Sequence, residues 1–417
     1  MSGARRDVVV LGGGVIGLAC ALYLLRAGRG VTLLEKGRTG AATSHGNCGT
    51  ITPSHAVPLA MPGMIAQGLR WLLKPDAPFR IAPRLDVALL GWLLRFARQC
   101  RWDDFHRITA QKTPLLKLGR TALQELIAAE KLDCQFETIG TLNVYRDARA
   151  FEKSQWLPQA LRAVDLPIET LDGVQCRARE PALNDSIVGG YFNPFDAHLR
   201  PDRYMAELTR AVRAHGGEIL EECEITGFRR DTRLAAVRTT HGEIAADEFV
   251  FALGSWSPAL ARQLDLRIPI QPGKGYSITY TRPEICPRIP LALKERAVCV
   301  TAWPTGYRLG STMEFAGYDS SLNRTRLDAL KRGAAEYLRC AQGPSVIEEW
   351  YGWRPMTYDD LPILGRCAAI PNLTLATGHG MLGVTMSAAT GLLIADIVCG
   401  RQPALDPAPF APARFNL

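Results

Sequence analysis

Residues 7–36 read DVVVLGGGVIGLACALYLLRAGRGVTLLEK, and this stretch decides the fold. Its start, DVVVL, is short, apolar after the aspartate and rich in β-branched residues, which is typical of a buried parallel strand. Gly12, Gly14 and Gly17 follow in the G-x-G-x-x-G spacing. Such glycines allow a tight turn, let the backbone approach a pyrophosphate, and let a helix pack closely on the strand.

A helix and a second strand complete this unit. The helix ends near Gly28, and its N-terminus offers free N–H groups and a partial positive charge to phosphates. The second strand, GVTLLEK, ends with Glu35, an acid placed to accept hydrogen bonds from ribose hydroxyls and unsuited to a 2′-phosphate. The unit therefore predicts a dinucleotide site for FAD or NAD, and disfavours NADP.

The bulk composition is that of a globular protein. The chain has 417 residues, enough for two joined domains, with 47% hydrophobic and 22% charged residues. Its net charge is +8, and no zinc finger or run of basic and aromatic residues points to nucleic acid. Eleven cysteines without a CxxC pair indicate reduced thiols. We find no secretion signal and no membrane-spanning run, and therefore expect a cytoplasmic protein.

The segment of residues 64–107 allows two interpretations. It holds two stretches, MIAQGLRWLLKP and LDVALLGWLLRFARQCR, that look like helices and mix tryptophan and leucine with arginine. These helices either pack on the catalytic domain or present a basic amphipathic face to a membrane. We favour packing, and keep peripheral contact with the inner face of the cell membrane as the alternative.

The chain returns twice more to the strand, glycine loop and helix pattern. FVFAL with Gly254 is one return, and NLTLATGHGMLGVTMSAATGLLIADIVCG is the other, so one nucleotide-binding sheet is expected to receive three segments. Residues 217–228 are expected to form a strand pair, and residues 112–131 a helix. Strands over residues 269–315 alternate in the manner of an antiparallel substrate sheet.

These motifs together resemble the FAD-dependent D-amino acid oxidase/dehydrogenase family, and most of all its bacterial dehydrogenases. The resemblance rests on the opening unit, the Ser/Gly/Asn loop after it, FVFALGSWSP, PGKGYSIT, YGWRPMTYDDLPILG and TGHGMLGVTMS, which occur in the family's order along nearly the whole chain. It implies FAD as cofactor and an α/β fold in which a Rossmann-like FAD-binding domain carries an α+β insert with an antiparallel substrate sheet. We expect the FAD-binding domain at residues 1–85, 200–265 and 350–417, and the substrate domain at residues 86–199 and 266–349.

The resemblance also implies a reaction. A hydride would pass from Cα of a D-amino acid to flavin N5, giving an imino acid that water converts to a 2-oxo acid and ammonia, with electrons going to a quinone or another non-oxygen acceptor. The loop SHGNCGTITPSHA departs from typical dehydrogenases of the family and leaves the substrate open. D-proline, hydroxy-D-proline, glycine or sarcosine are alternative substrates, and oxygen is an alternative acceptor. A non-catalytic alternative is a flavoprotein subunit of a hetero-oligomer, and a homo-oligomer is also open.

The expected carboxylate anchor is Arg354, because a planar guanidinium binds a carboxylate bidentately and the family's anchor has the same Arg-Pro context. The alternative is a structural ion pair with Asp359 or Asp360. Tyr276 either donates to the same carboxylate or is a strand tyrosine. The Met381 carbonyl is expected to accept from the substrate amine, and His55 to line the pocket.

The flavin contacts are expected from the glycine loops and from the segments that flank them. No cluster with metal-ligand spacing is found, so we expect no metal. His379 is expected to be a structural histidine. The expected FAD-binding residues are Gly12, Gly14, Val15, Ile16, Glu35, Lys36, Thr43, Ser44, Gly46, Asn47, Gly49, Ile225, Gly254, Gly378, Gly380, Leu382, Gly383 and Thr385.

Overall fold

The structure is a computed structural model that describes residues 6–72, 74 and 77–417. The strands of this part of the chain are β1 (Arg6–Leu11), β2 (Val31–Leu34), β3 (Thr50–Ile51), β4 (Phe79–Ile81), β5 (Thr141–Tyr145), β6 (Glu169–Asp172), β7 (Gly189–Asn193), β8 (Ala197–His198), β9 (Glu218–Leu220), β10 (Ile225–Arg230), β11 (Leu234–Thr239), β12 (Gly242–Phe251), β13 (Ile270–Tyr280), β14 (Leu291–Leu293), β15 (Val298–Trp303), β16 (Gly306–Phe315), β17 (Val346–Thr357), β18 (Ile363–Cys367) and β19 (Ile370–Thr377). The α-helices are α1 (Val15–Arg26), α2 (Met64–Leu72), α3 (Val87–Gln99), α4 (Trp102–Glu130), α5 (Ala148–Lys153), α6 (Trp156–Arg162), α7 (Gly173–Arg179), α8 (Pro201–Ala214), α9 (Ser257–Ala261), α10 (Arg324–Ala335) and α11 (Gly383–Val398). Short 3-10 helices cover Pro53–Ala56, Gly254–Trp256, Arg262–Leu264, Ala408–Phe410 and Pro412–Phe415.

The first sheet has the opening strand at its centre. β1 pairs in parallel with β2 and β12, and β12 pairs in parallel with β19. The prediction that three segments return to one sheet is therefore confirmed. The central strands are almost wholly apolar because both faces of this sheet are covered. Helices α1, α8 and α11 pack on one face, and strands β10 and β11 contribute to the core on the other. The carboxyl ends of β1, β12 and β19 consequently meet at one edge.

The predicted strand pair over residues 217–228 is wrong. β9 pairs with β2 and β10 pairs with β11, so the two strands do not pair with each other. The segment between them is no tight turn, because it crosses the end of β2. There Glu222 N–H donates to Gly37 O at 3.1 Å and Cys223 N–H donates to Glu35 O at 2.9 Å. Local alternation identified the two strands but could not identify their partners.

The second sheet has the order β17-β13-β16-β15-β14-β5-β7-β6, with β4 beside β16. Pairs β17–β13, β13–β16, β16–β15 and β15–β14 are antiparallel, as the alternation over residues 269–315 predicts. One face of this sheet, hereafter the outer face, packs against α10 through a core of aromatic and aliphatic side chains. The opposite, inner face looks toward the first sheet.

The predicted domain boundaries cut across some of these elements. The boundary at residue 350 divides β17, although β17 pairs with β13 as far as Thr357. The short strand β4 also pairs in the second sheet, next to β16. Helix α4 instead packs on α11, where a Cβ on Gly119 would lie 2.3 Å from the Thr385 carbonyl oxygen. We keep the two-domain division as a proposal in which β4, β17 and α4 change sides.

Candidate active site

One cavity of about 1350 Å³ joins the two sheets. It begins at the carboxyl ends of β1, β12 and β19 and continues across the inner face of the second sheet. We call these parts the nucleotide end and the substrate end. Most of the predicted site residues line this cavity, and Gly49, Gly378 and Thr385 lie off its wall.

The glycines of the opening motif shape the nucleotide end. Gly12 has φ +103°, and a Cβ there would lie 2.6 Å from the Ala252 carbonyl oxygen. A Cβ on Gly17 would lie 1.8 Å from the carbonyl oxygen of Gly12, so α1 packs on the strand only with glycine at that position. No acidic residue occupies the first turn of α1. The helix N-terminus therefore faces the cavity as an electropositive cradle suited to a pyrophosphate.

The carboxylate of Glu35, at the end of β2, is fixed by two backbone hydrogen bonds. It accepts from Gly13 N–H at 2.8 Å and from Gly37 N–H at 3.0 Å. These bonds fix the acid at the cavity wall, where ribose hydroxyls would add further donors. The neighbouring Lys36 ammonium lies 3.5 Å from the ring centre of Trp256, which extends the wall as a flat aromatic surface.

The loop after Glu35 follows the cavity and is fixed by the second sheet. Ser44 Oγ accepts from Val15 N–H at 3.1 Å, and Thr43 Oγ1 donates to the Trp353 carbonyl at 3.0 Å. Asn47 Oδ1 accepts from Gly49 N–H at 2.7 Å. A Cβ on Gly49 would lie 2.0 Å from the Leu199 carbonyl oxygen, so this glycine serves packing behind the wall.

The C-terminal loop enters the cavity at the start of α11. Gly380 and Gly383 line it, together with Leu382 and Met381. Gly378 lies behind the wall, where a Cβ would be 2.8 Å from Thr357 Cγ2. The Thr385 hydroxyl is engaged away from the cavity, because it accepts from Thr52 N–H at 3.2 Å. At the far side, Ile225 and Gly254 line the nucleotide end.

His379 has a structural partner, as the sequence suggested. Its Nε2 atom lies 2.9 Å from Thr390 Oγ1 within α11. Burial lowers the pKa of His379 to about 3, so the imidazole is neutral across the physiological range. The backbone of His379 also forms a bridge with Met356 of β17, and thereby ties the C-terminal loop to the second sheet.

Arg354 reaches the substrate end without a carboxylate partner among the described residues. The two acids considered as its partners are engaged elsewhere: Asp359 pairs with Arg414 at 2.9 Å, and Asp360 pairs with Lys112 at 2.6 Å. Arg354 Nη1 instead donates to the Thr312 carbonyl at 2.5 Å. Burial lowers the pKa of Arg354 from its ordinary value, which reflects the cost of holding an unpaired cation there.

The backbone that accepts from Arg354 is in an unusual conformation. Ser311 has φ +114° and Thr312 has φ +58°, at the irregularity in the β13–β16 pairing. A β-branched residue at positive φ is strained by its side chain. This bulge points the Thr312 carbonyl at the guanidinium, so the sheet fixes the direction of Arg354.

Tyr276 is part of the cavity wall, but its phenol points to the outer face of the sheet. Its hydroxyl donates to Glu314 Oε2 at 2.6 Å, and 1% of the residue is exposed. The neighbouring Gly275 lies on the inner face, because successive strand residues alternate between the two faces. A Cβ on Gly275 would lie 2.4 Å from the guanidinium carbon of Arg354. The phenol of Tyr276 therefore supports the sheet, and the glycine beside it makes room for Arg354.

His55 and Met381 face the substrate end. His55 Nδ1 lies 3.2 Å from Thr52 Oγ1, and within the described residues its Nε2 has no hydrogen-bond partner. Burial, and the charges of Lys294 and Lys112, lower the pKa of His55 to about 3. His55 is therefore a neutral hydrogen-bonding group. Met381 packs beside Trp92 and Met356 at the wall.

Several cavity residues escaped the sequence analysis. Trp256 lies within the motif FVFALGSWSP, and its aromatic ring is a signal by which the sequence analysis could have found it. No local pattern distinguishes the others from ordinary strand residues, because they come together only through strand pairing. These residues are Thr52, Asn143, Lys294, Cys299, Trp350 and Trp353. In the part of the chain that is described, no group of three or more His, Cys, Asp and Glu side chains could hold a metal ion.

Two D-amino acid dehydrogenases resemble the chain along nearly its whole length. A D-amino acid dehydrogenase of Xanthobacter autotrophicus is 33% identical, with 98% of this chain and 99% of that protein covered. A D-amino acid dehydrogenase of Methylobacterium radiotolerans is 35% identical, with 95% and 96% covered.

Solved structures share the fold. Glycine oxidase from Geobacillus kaustophilus superposes with a TM-score of 0.76 at 22% identity, covering 98% of both chains. L-proline dehydrogenase from P. horikoshii has a TM-score of 0.73 at 18% identity, covering 99% of this chain and 98% of that one. The family model described as FAD dependent oxidoreductase matches residues 7–397. The chain therefore belongs to the FAD-dependent oxidoreductases of this family, an enzyme family with FAD as its cofactor.

Proposed function

We propose that the chain oxidises D-amino acids at Cα and passes the electrons to an acceptor other than oxygen. The observation that carries this proposal is Arg354, a buried guanidinium that faces the substrate end with no carboxylate partner among the described residues. The two named D-amino acid dehydrogenases that match the full length of the chain support the choice of substrate.

The chain's own residues bind and orient the substrate. Arg354 holds the α-carboxylate, and because the bulge at Thr312 fixes the guanidinium, the position of Cα is fixed as well. The carbonyl of Met381 and the neutral imidazole of His55 accept from the amine, which is oxidised in its uncharged form. When bound, FAD supplies the group that accepts the hydride. The residues at the nucleotide end fit this cofactor, since the glycine cradle, Glu35 and the start of α11 all open to one cavity.

Smaller and cyclic amino acids remain alternative substrates, and the set of compounds used to test the function must include them. The inner face of the second sheet carries Gly275, Gly310 and Ala292, and these small residues make room for the guanidinium of Arg354 over Gly275 and for the thiol of Cys48 over Gly310. D-proline, hydroxy-D-proline, glycine and sarcosine belong in the panel, because neighbours of the same fold include a glycine oxidase and an L-proline dehydrogenase, whose names point to small and to cyclic substrates.

The proposal that a membrane quinone accepts the electrons rests on an apolar patch, which we define as the exposed leucines of α2 and α3. Leu69 of α2 and Leu90 and Leu94 of α3 are 61%, 58% and 57% exposed, while Leu89 and Trp92 on the other side of α3 are buried. One side of α3 therefore packs on the protein, and the other side is uncovered. Exposed basic residues lie in or directly after the same two helices, at Arg70, Lys74, Arg95 and Arg98.

An apolar patch with a basic border suits the anionic inner face of a cell membrane. In the described residues, no helix has the length and hydropathy to span a bilayer. We propose peripheral membrane contact, which would bring the cavity mouth near a membrane quinone. Co-sedimentation with anionic vesicles tests this. Leu90→Glu with Leu94→Glu should abolish it while the FAD content stays unchanged.

The function itself is tested by dye reduction with the purified, FAD-loaded chain. D-alanine, its L-enantiomer, D-proline, hydroxy-D-proline, glycine and sarcosine are offered in turn. We expect turnover with a D-amino acid and a rate with oxygen far below that with dye. A yellow protein that reduces dye with none of them contradicts the proposal and favours a flavoprotein subunit that needs partner chains.

A further inference from the structure

Lys294 lies just beyond the last residue of β14 and lines the cavity. Its N–H donates to the Val144 carbonyl at 3.1 Å, which continues the pairing of β14 with β5. Because alternate strand residues share a face, Lys294 lies on the same inner face as Ala292. The side chain of Lys294 has accessible surface, yet desolvation by the surrounding protein lowers the pKa of its ammonium group. Accessibility and desolvation are compatible because the accessible surface of Lys294 faces the internal cavity rather than bulk solvent.

Lys294 has no carboxylate partner among the described residues. The adjacent Glu295 is occupied, since it accepts from Arg146 N–H and Asp147 N–H, both at 2.9 Å, and from the Tyr337 hydroxyl. The other lysine that acts on His55, Lys112, is by contrast paired with Asp360. Lys294 also contributes to the lowered pKa of His55, which places its charge within electrostatic reach of the predicted substrate.

A floor of small residues separates Lys294 from Arg354. The guanidinium of Arg354 lies over Gly275 on β13. Two residues along this strand, Ser277 pairs with Gly310, which pairs with Cys299, which in turn pairs with Ala292 on β14. The Cys48 thiol lies over Gly310. Three strand spacings correspond to about 14 Å, of which the lysine's own side chain covers a part. One carboxylate cannot reach both cations, whereas a ligand with two separated anionic groups can.

We propose that Lys294 binds a second carboxylate of the substrate, so that the preferred substrates are D-amino acids with an acidic side chain, such as D-glutamate. This inference rests on the proposed function and specifies its substrate class. An unpaired cation in a partly desolvated site is costly, and an incoming anion removes that cost for Lys294 as it does for Arg354. A charge-assisted hydrogen bond then holds the far end of the substrate.

Binding is tested without turnover. Glutarate and pentanoate have five carbons each and differ in one carboxylate, and neither has an amine to oxidise. Their binding to the FAD-loaded chain is measured from the shift in the absorption of the oxidised flavin. We expect glutarate to bind about 10- to 100-fold more tightly than pentanoate. Lys294→Met should remove this preference, and Lys294→Arg should keep part of it.

The matched control is Lys153→Met, which removes an exposed lysine of α5 that also lines the cavity. Lys153→Met should keep the preference for glutarate over pentanoate, because we attribute this preference to the charge of Lys294 and not to the total positive charge of the cavity wall. The inference is overturned if the wild-type chain shows no preference, if Lys294→Met retains it, or if both lysine variants lose it equally.

Failure of this inference is distinguishable from failure of the proposed function. In anaerobic titrations, D-glutamate and D-norvaline, again of five carbons each, are compared as reductants of the bound flavin. If D-norvaline bleaches the flavin at least as readily as D-glutamate, the role of Lys294 is wrong and the proposed function stands. If no D-amino acid bleaches it, the proposed function fails, whichever way the glutarate comparison comes out.

Discussion

The two ends of the cavity differ in how their polar groups are satisfied. At the nucleotide end, Glu35 and Ser44 are already bonded to backbone N–H groups, so this end is a preformed cradle. At the substrate end, Arg354 and Lys294 have no carboxylate partner among the described residues. This difference fits our proposal that the nucleotide end holds FAD in a preformed site, whereas the substrate end is completed when an anionic substrate binds.

Replacing Arg354 should have the largest effect, and this effect should be confined to the substrate end of the cavity. In Arg354→Met the α-carboxylate loses its charged partner, so kcat/KM should fall by about 10²- to 10³-fold while FAD content is unchanged. Steady-state dye reduction and the absorbance ratio of flavin to protein measure both quantities. Arg354→Lys keeps the charge but not the planar guanidinium, so its kcat/KM should lie between those of the wild-type chain and of Arg354→Met. Unchanged kcat/KM in Arg354→Met would mean that the carboxylate is anchored elsewhere.

Replacing Glu35 should break the other end alone. Glu35→Ala removes the acceptor for Gly13 N–H and Gly37 N–H and the expected acceptor for the ribose, so FAD should bind about 10- to 100-fold more weakly. Equilibrium dialysis against FAD gives the dissociation constant. Once saturated with FAD, the variant should show nearly the wild-type KM for the amino acid. A raised KM at full FAD occupancy would show that the two ends are not independent.

His379 joins the ends and makes the fold sensitive to acid. Its pKa is about 3 in the folded chain, below the 6.5 of an ordinary histidine, so the unfolded chain takes up the proton first as the pH falls. The stability is complete above pH 6.5 and decreases as the pH falls toward 3. At pH 5 the loss amounts to about 2 kcal/mol for this one group.

Denaturant unfolding at pH 7 and at pH 5 measures this loss. The free energy of unfolding should fall less between these pH values in His379→Gln than in the wild-type chain, because glutamine takes up no proton. An equal fall in both proteins would mean that His379 is not held neutral. The wild-type fall also contains contributions from His55, whose pKa is about 3, and His198, whose pKa is about 4.

Gly275 and Tyr276 are neighbours in β13 but lie on the inner and outer faces of the second sheet, so we expect their substitution to have different and smaller effects. Gly275→Ala places a methyl group where the Arg354 guanidinium lies, so kcat/KM should fall about tenfold as the anchor shifts. Tyr276→Phe leaves Glu314 without its phenol donor, so it should lower the free energy of unfolding by about 1–3 kcal/mol. Kinetics and denaturant unfolding are measured on both variants. If Tyr276→Phe instead raises KM at unchanged stability, the phenol acts on the substrate after all.

The same contrast explains what could be predicted from the sequence. The nucleotide end consists of consecutive motifs, so Gly12, Glu35 and the loop before α11 could be identified from spacing alone. The substrate end consists of single residues from different strands, and Lys294 in PLALKERAV has no neighbour that identifies it. Family resemblance pointed to Arg354, whose role as carboxylate anchor is a proposal. The face on which Tyr276 lies depends on register, which the sequence did not determine.

The most direct test of the central claim is an anaerobic titration of the FAD-loaded wild-type chain with D-alanine and, in a second sample, L-alanine. We predict that the D-enantiomer bleaches the oxidised flavin band stoichiometrically, and that the L-enantiomer leaves it unchanged. Flavin that stays oxidised with D-alanine and with the wider panel of D-amino acids, in protein that holds FAD at full occupancy, would contradict the account.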